Sequence, residues 1–107
     1  MAMSLSGPHQ KMLENKSNLL KALAHPIRLC IVRNLVESGG CNVSKMQTCL
    51  TMPQSTISQH LSKLKACGIV EGKRCGTEIT YFVIHPDAVS IAKTLIPDIP
   101  DYDSTVS

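Results

Sequence analysis

Stripes of apolar residues at helical spacing, interrupted by proline and glycine, divide the chain into elements. From about Gln10 to Ala24, Met12, Leu13, Leu19, Leu20 and Leu23 form one stripe, with Lys11, Glu14, Lys16 and Lys21 outside it. That pattern predicts an amphipathic helix. His25-Pro26 breaks it, because the residue before a proline is pushed out of helical backbone. Pro26 then opens a second helix running to Glu37. Ile27, Leu29, Ile31, Val32, Leu35 and Val36 make that helix apolar nearly all round, so it is the expected central core helix, ended by Gly39-Gly40. Asn42 is a good N-cap for a short third helix, Val43 to Leu50, with Val43, Met46, Cys49 and Leu50 facing inward. A turn of Thr51 to Pro53 leads into a fourth helix, where Ile57, Leu61 and Leu64 fall at i, i+4 and i+7. Thr51 and Gln54 have capping-box spacing, Pro53 suits a first turn, and Gly68 closes the helix.

Two runs rich in β-branched and aromatic residues follow, Ile69 to Arg74 and Thr77 to Ile84. They read as a hairpin around Cys75-Gly76, although cysteine is a poor choice where φ must be positive. Pro86 starts a last helix to about Ile96, with Ala88, Ile91, Ala92 and Leu95 as its stripe. The expected fold is mainly α with a β-hairpin wing, in the order α-α-α-α-β-β-α. Its third and fourth helices, joined by a tight turn, make a helix-turn-helix. Residues 1–9, with the breaker Gly7-Pro8, are expected to be a disordered arm. Residues 10–96 form the domain, and 97–107 an acidic flexible tail.

The polar side of the fourth helix, residues 54–66, carries the candidate chemistry. Gln54, Ser55, Thr56, Ser58, Gln59, His60 and Lys63 lie there without a single acid. An ordinary solvated face mixes Glu with Lys. Hydroxyls and amides hydrogen-bond base edges and phosphate oxygens, which acids would repel. Gln54, Ser55, Ser58 and Gln59 occupy the first two turns, which reach deepest into a major groove. The segment 72–78 adds Lys73, Arg74 and Thr77, a basic wing suited to phosphates. The bland alternative is a polar helix that merely faces water.

Composition narrows the reading. A chain of 107 residues is one domain. Aromatic content is 3% (Tyr81, Phe82 and Tyr102), too little for the stacking platforms of a single-strand binder. Net charge is +3, but all 11 basic residues precede Pro97 while three of the 8 acids (Asp98, Asp101, Asp103) follow it, so residues 1–96 carry +6. Positive charge suits a polyanionic partner. There is no apolar run long enough for a membrane span and no signal-peptide core, so a cytoplasmic location is expected. Five cysteines in that compartment stay reduced.

Cys49 and Cys30 read as packing residues. Cys41, just before a helix N-cap, is the expected low-pKa thiol, and Cys75 the most exposed. Cys41, Cys30 and Cys75 are the redox candidates. Cys67 lies near a helix C-terminus, where the dipole disfavours a thiolate. No Cys-x-x-Cys or His-x-x-x-His spacing encodes a zinc site, and no metal ligands or cofactor are expected. His25 and His85, each before a proline, read as helix-boundary residues. No catalytic set stands out, so an enzyme is not expected.

The order of elements resembles the winged-helix repressors of the ArsR/SmtB (arsenic-repressor) family. The residues that carry the resemblance are LLKALAHPIRLCIV (19–32), PQSTISQHLSKLKACGIVEGKR (53–74) and GTEITYFVI (76–84). They include His25-Pro26-Ile27-Arg28-Leu29 and Gln54-Ser55-Thr56-Ile57-Ser58, similar to the family's hallmarks. The resemblance implies a homodimeric repressor of double-stranded DNA. Leu13, Leu20, Ile91 and Leu95, on the first and last helices, are the dimerisation candidates. The family's sensing chemistry is not implied. Asn42, Val43 and Ser44 stand where many members have a Cys-x-Cys pair, and after Pro86 there is no His or Cys. Two other readings are a thiol-based redox or soft-metal sensor that binds DNA, and a winged helix used only for protein interaction. The acid-free helix and the basic wing speak against the latter.

Overall fold

In a computed structural model, residues 7–97 are described. They form α1 (Gly7–Leu23), α2 (Pro26–Ser38), β1 (Cys41–Asn42), α3 (Val43–Leu50), α4 (Gln54–Ala66), β2 (Val70–Cys75), β3 (Glu78–Val83) and α5 (Pro86–Leu95). The expected winged helix-turn-helix is present. The predicted arm and tail lie outside the described residues at 1–6 and 98–107. Residues 7–9, assigned to the arm, are the start of α1, so Gly7-Pro8 breaks nothing.

The two His-Pro pairs start helices by the same device. His25 Nδ1 accepts the Ile27 N–H at 3.1 Å, and His85 Nδ1 accepts the Asp87 N–H at 3.2 Å. Each imidazole takes the place of the usual Ser or Asp cap, and the proline behind it has no N–H that needs a partner. Asn42 caps α3 as expected, its Oδ1 accepting the Lys45 N–H at 2.8 Å. The capping box between Thr51 and Gln54 does not form. Thr51 ends α3 in the left-handed region, φ 53°, and α4 begins after Pro53 with no side-chain cap. A residue held left-handed to close one helix cannot also cap the next.

α2 is the central helix, touching every other helix and β3. Its Ile31, Val32 and Leu35 meet Met46 of α3, Ile57, Leu61 and Leu64 of α4, Ile69, Val70, and Ala88 and Ala92 of α5. Truncating one of the larger of these to Ala costs about 2–5 kcal/mol. α4 closes with a Schellman motif: the Ile69 N–H reaches Leu64 O and the Gly68 N–H reaches Lys65 O, both at 3.0 Å. Ile69 and Leu64 are fully buried together, so the end of α4 is pinned to the core.

Arg33 is a charged residue inside this apolar helix, 5% exposed. Its Nε donates to Ile96 O at 2.7 Å and its Nη2 pairs with Glu37 at 3.0 Å. It thereby satisfies a carbonyl at the C-terminal end of α5. Cys49, expected to face inward, is exposed: α3 meets the core through the fully buried Met46, with Val43 and Leu50 partly buried against it.

The sheet has a strand that sequence analysis missed. β1 pairs antiparallel with β3 (Cys41↔Tyr81, Asn42↔Thr80), giving the order β1-β3-β2. Two residues show no alternation, so β1 has no sequence signal. Its approach requires Gly40: at φ 132° a Cβ there would lie 2.4 Å from the Phe82 ring. The hairpin turn is shifted by one residue. Cys75 pairs with Glu78, so the two-residue loop is Gly76-Thr77. Gly76 takes the positive φ, 67°, and Cys75 is released from it.

Candidate nucleic-acid interface

α4 presents its polar arc to solvent because Ile57, Leu61 and Leu64 are consumed by the core. Gln54, Ser55, Gln59 and Lys63 are exposed, and Thr56 and Ser58 are half-buried. The wing stands beside the start of α4. Between them runs a groove of about 370 Å³, with Ser44, Gln54 and Ser58 on one side and Thr77, Glu78 and Ile79 on the other. Three predicted site residues from distant parts of the sequence, Gln54, Ser58 and Thr77, therefore share one concave surface.

Lys73 and Arg74 do not point the same way. Neighbours in a strand face opposite sides. Arg74 pairs with Ile79 and so lies on the side of the ribbon shared by Ile79 and Tyr81. Lys73 lies on the other side, its ammonium 5.9 Å from the Phe82 ring centroid. Both are exposed.

Glu78 is an acid on this face that sequence analysis did not single out. Asn42 Nδ2 donates to its Oε1 at 2.9 Å. Asn42 therefore does two jobs: it caps α3 with one amide atom and ties down the wing with the other. The link spans 36 residues and depends on β1, so nothing local in the sequence announces it.

His60 leans toward α2. It is half-buried, with its ring centroid 4.6 Å from that of His25 and its Nδ1 3.5 Å from Arg28 Nη1. Burial, the neighbouring His25 and the Arg28 charge, in that order, hold its pKa below the ordinary 6.5. The signal was in the spacing: His60 is three residues after Ile57 and four before Leu64, on the buried side of the helix.

Among the thiols, Cys75 is exposed at the wing tip, and Cys49 and Cys67 are exposed as well. Cys41, expected to be the low-pKa thiol, is the buried one. Burial and then the neighbouring Cys49 push its pKa up, against smaller opposite effects from Lys45 and the Asn42 backbone. Cys41 lies in β1, paired with Tyr81 of β3. Burial also raises the pKa of Cys30. Among the described residues, no three His, Cys, Asp or Glu side chains are grouped to hold a metal ion. No helix there is long and apolar enough to cross a membrane.

A family profile described as "Bacterial regulatory protein, arsR family" matches residues 25–72, from the α2 cap into the wing. The transcriptional repressor PagR of Bacillus anthracis is 41% identical over 85 residues, covering 79% of this chain and 85% of PagR. The chain belongs to the arsR family of bacterial regulatory proteins. The crystal structure of PagR has a TM-score of 0.76 to this fold at 40% identity, covering 80% of this chain and 98% of that one. The crystal structure of the repressor BigR from Xylella fastidiosa has a TM-score of 0.72 at 35% identity, covering 82% and 86%. The HTH-type repressor SmtB of Mycobacterium tuberculosis is 45% identical over 74 residues, which are 69% of this chain and 54% of SmtB, so the chain spans about half of that relative. As an arsR-family member with this winged helix-turn-helix, the chain is a DNA-binding transcriptional regulator. Its helix-turn-helix, α3 and α4, lies wholly within the profile match.

Proposed function

We propose that the chain is a homodimeric repressor that reads an inverted-repeat operator, with α4 in the major groove and the wing on the flanking backbone. One observation carries the reading of the site. Gln54, Ser55, Ser58 and Gln59 lie together at the start of α4, and Gln54 and Ser58 share a groove with Thr77 of the wing. Amides and hydroxyls suit base edges, and Lys63, Lys73 and Arg74 suit phosphates. Repression is the activity that the names of the relatives print, and a chain with this surface blocks transcription by occupying a promoter. Its work is done in the cytoplasm, where the DNA is, and it needs no catalysis.

The dimer has its own support. From His9 to Asn18 every residue of α1 is exposed, Met12 at 48% and Leu13 at 42%. A stretch of helix that buries nothing is marginal in water and calls for a partner. Leu20 and Leu95 add exposed apolar surface, 56% and 63%. The exposed ends of α1 and α5 thus supply what a second copy would cover. A stable obligate interface of this kind buries upward of about 2,000 Å² in total.

The experiment is a gel shift of the full chain with duplex DNA from its own promoter against random duplex of equal length. A specific shift at low salt that survives random competitor is expected. No shift with either duplex would overturn the reading.

A further inference from the structure

We propose that His60 serves operator reading as a positioning residue: through Arg28 and His25 it seats α4 on the start of α2, and it does so only as a neutral imidazole. The inference rests on the reading of α4 as the DNA-reading helix.

The geometry sets the proton positions. Arg28 Nε donates to Ala22 O at 2.6 Å, which fixes the guanidinium against the end of α1. Its Nη1 then lies 3.5 Å from His60 Nδ1. A guanidinium has donors and no acceptor, so Nδ1 is the acceptor and the His60 proton sits on Nε2. His25 is held the same way, because its Nδ1 accepts the Ile27 N–H at the α2 cap. The two rings meet at 4.6 Å between centroids, tilted by 48°. The end of α1, the cap of α2 and the middle of α4 are thus joined by three side chains, all inside the family-matched segment except the Ala22 carbonyl.

A proton on His60 undoes this junction. It replaces the acceptor by a donor aimed at a cation and puts two positive charges side by side, next to a second imidazole. Among the described residues no carboxylate offsets them: the groups that act on the His60 charge are His25 and Arg28. Gln59 is the next residue and Ser55 is just over one turn away. A displacement of about 1 Å carries a hydrogen bond from about 2.9 Å to about 3.9 Å, beyond its working range. Small movements of α4 therefore break hydrogen bonds to bases while leaving looser phosphate attraction in place.

The sign follows from the lowered His60 pKa. Above the ordinary value of 6.5 the ring is neutral in both the folded and unfolded chain, and the junction is complete. As pH falls below 6.5 toward the lowered value, the unfolded or displaced state takes the proton first, and the seated state loses ground. A histidine that touched phosphate would behave in the opposite way, gaining affinity in acid.

The test uses the full chain. The His60 ring resonance is titrated by NMR without DNA. Binding to the promoter duplex and to random duplex is measured from about pH 7.5 to about pH 5.5, spanning the ordinary histidine range, at constant ionic strength. His60 is expected to titrate below 6.5, with amide shifts at the start of α2 and in α4 moving in step. The promoter-to-random affinity ratio is expected to fall in acid, by at most about tenfold per pH unit for each protomer. His60→Gln keeps an acceptor for Arg28 and does not titrate, so its ratio is expected to match wild type at the alkaline end and stay flat. A His60 titration at or above 6.5, a wild-type ratio that is flat or rises in acid, or an unchanged slope in His60→Gln would each overturn the proposal. Should that variant not fold, the NMR titration and the wild-type ratio still decide. Absence of promoter binding at the alkaline end refutes the functional reading instead, and the coupled amide shifts then decide the His60 junction alone.

Discussion

At the scale of single residues, side chains that look equivalent in sequence separate by what lies behind them. Gln59 and His60 are adjacent on α4, yet Gln59 is exposed and His60 leans on α2. Gln59→Ala is expected to weaken operator binding by about 1–3 kcal/mol per half-site while random DNA binds as before. Titrations with both duplexes check this, and equal losses on the two would remove Gln59 from the reading set. Thr51 is a separate case. It is a β-branched residue in the left-handed region, exposed and without packing to lose. Asn tolerates that backbone better, so Thr51→Asn is expected to stabilise the chain by up to about 1 kcal/mol, read as a rise in Tm. A lower Tm would mean that the Thr51 side chain does something its exposure does not suggest.

At the scale of elements, the wing is a ribbon with two unlike faces. Arg74 lies on the Ile79 side, and Lys73 packs toward Phe82 on the other. Each is expected to meet phosphates, so Ala at either position weakens all sequences alike. Every phosphate that is no longer neutralised lowers the salt slope by about 0.9. The effect is expected to be larger for Arg74, since the Lys73 ammonium sits beside the Phe82 ring. Binding measured across a range of salt checks both points, and an effect of Lys73 greater than that of Arg74 would reverse the assignment of faces. The helix-turn-helix itself was legible, because Ile57, Leu61 and Leu64 mark one side of α4 and Asn42 marks the start of α3. The facing of the wing residues was not, because it follows the Arg74↔Ile79 register, one residue off the turn expected at Cys75-Gly76. The tie from Asn42 to Glu78 was not, because its partners are far apart in sequence.

At the scale of the whole molecule, the reading depends on two copies acting as a rigid pair. Leu95 is 63% exposed in the single chain, so Leu95→Glu costs the fold of a protomer little. It is nevertheless expected to abolish the dimer and operator binding together, which sedimentation and gel shift would show. A wild-type chain that sediments as a folded monomer at micromolar concentration would count decisively against the dimer. Two α4 helices related by a two-fold axis must face the same side of the duplex. Their centres are then about 34 Å apart, one turn of about 10 bp, or a multiple of it. Inserting about 5 bp between half-sites turns one groove to the far face, and affinity is expected to drop almost to the non-specific level. Unchanged footprints on that DNA would show that the helices do not read as a fixed pair.

By itself the sequence determined the five helices and the hairpin, their order and the surface chemistry. Apolar spacing, His-Pro breaks and an acid-free helix are local patterns, and local backbone preferences act on neighbours within a few residues. The tertiary structure decided what no neighbour can specify. It buried Cys41 within the sheet, where a two-residue strand pairs with β3, and left Cys49 in solvent. It buried Arg33 against the end of α5, and it brought Arg28 and His25 to His60. For Cys41, Arg33 and His60 the deciding partner is distant in sequence, at Tyr81, Ile96 and Arg28. Only packing around α2 brings such partners within reach of a hydrogen bond.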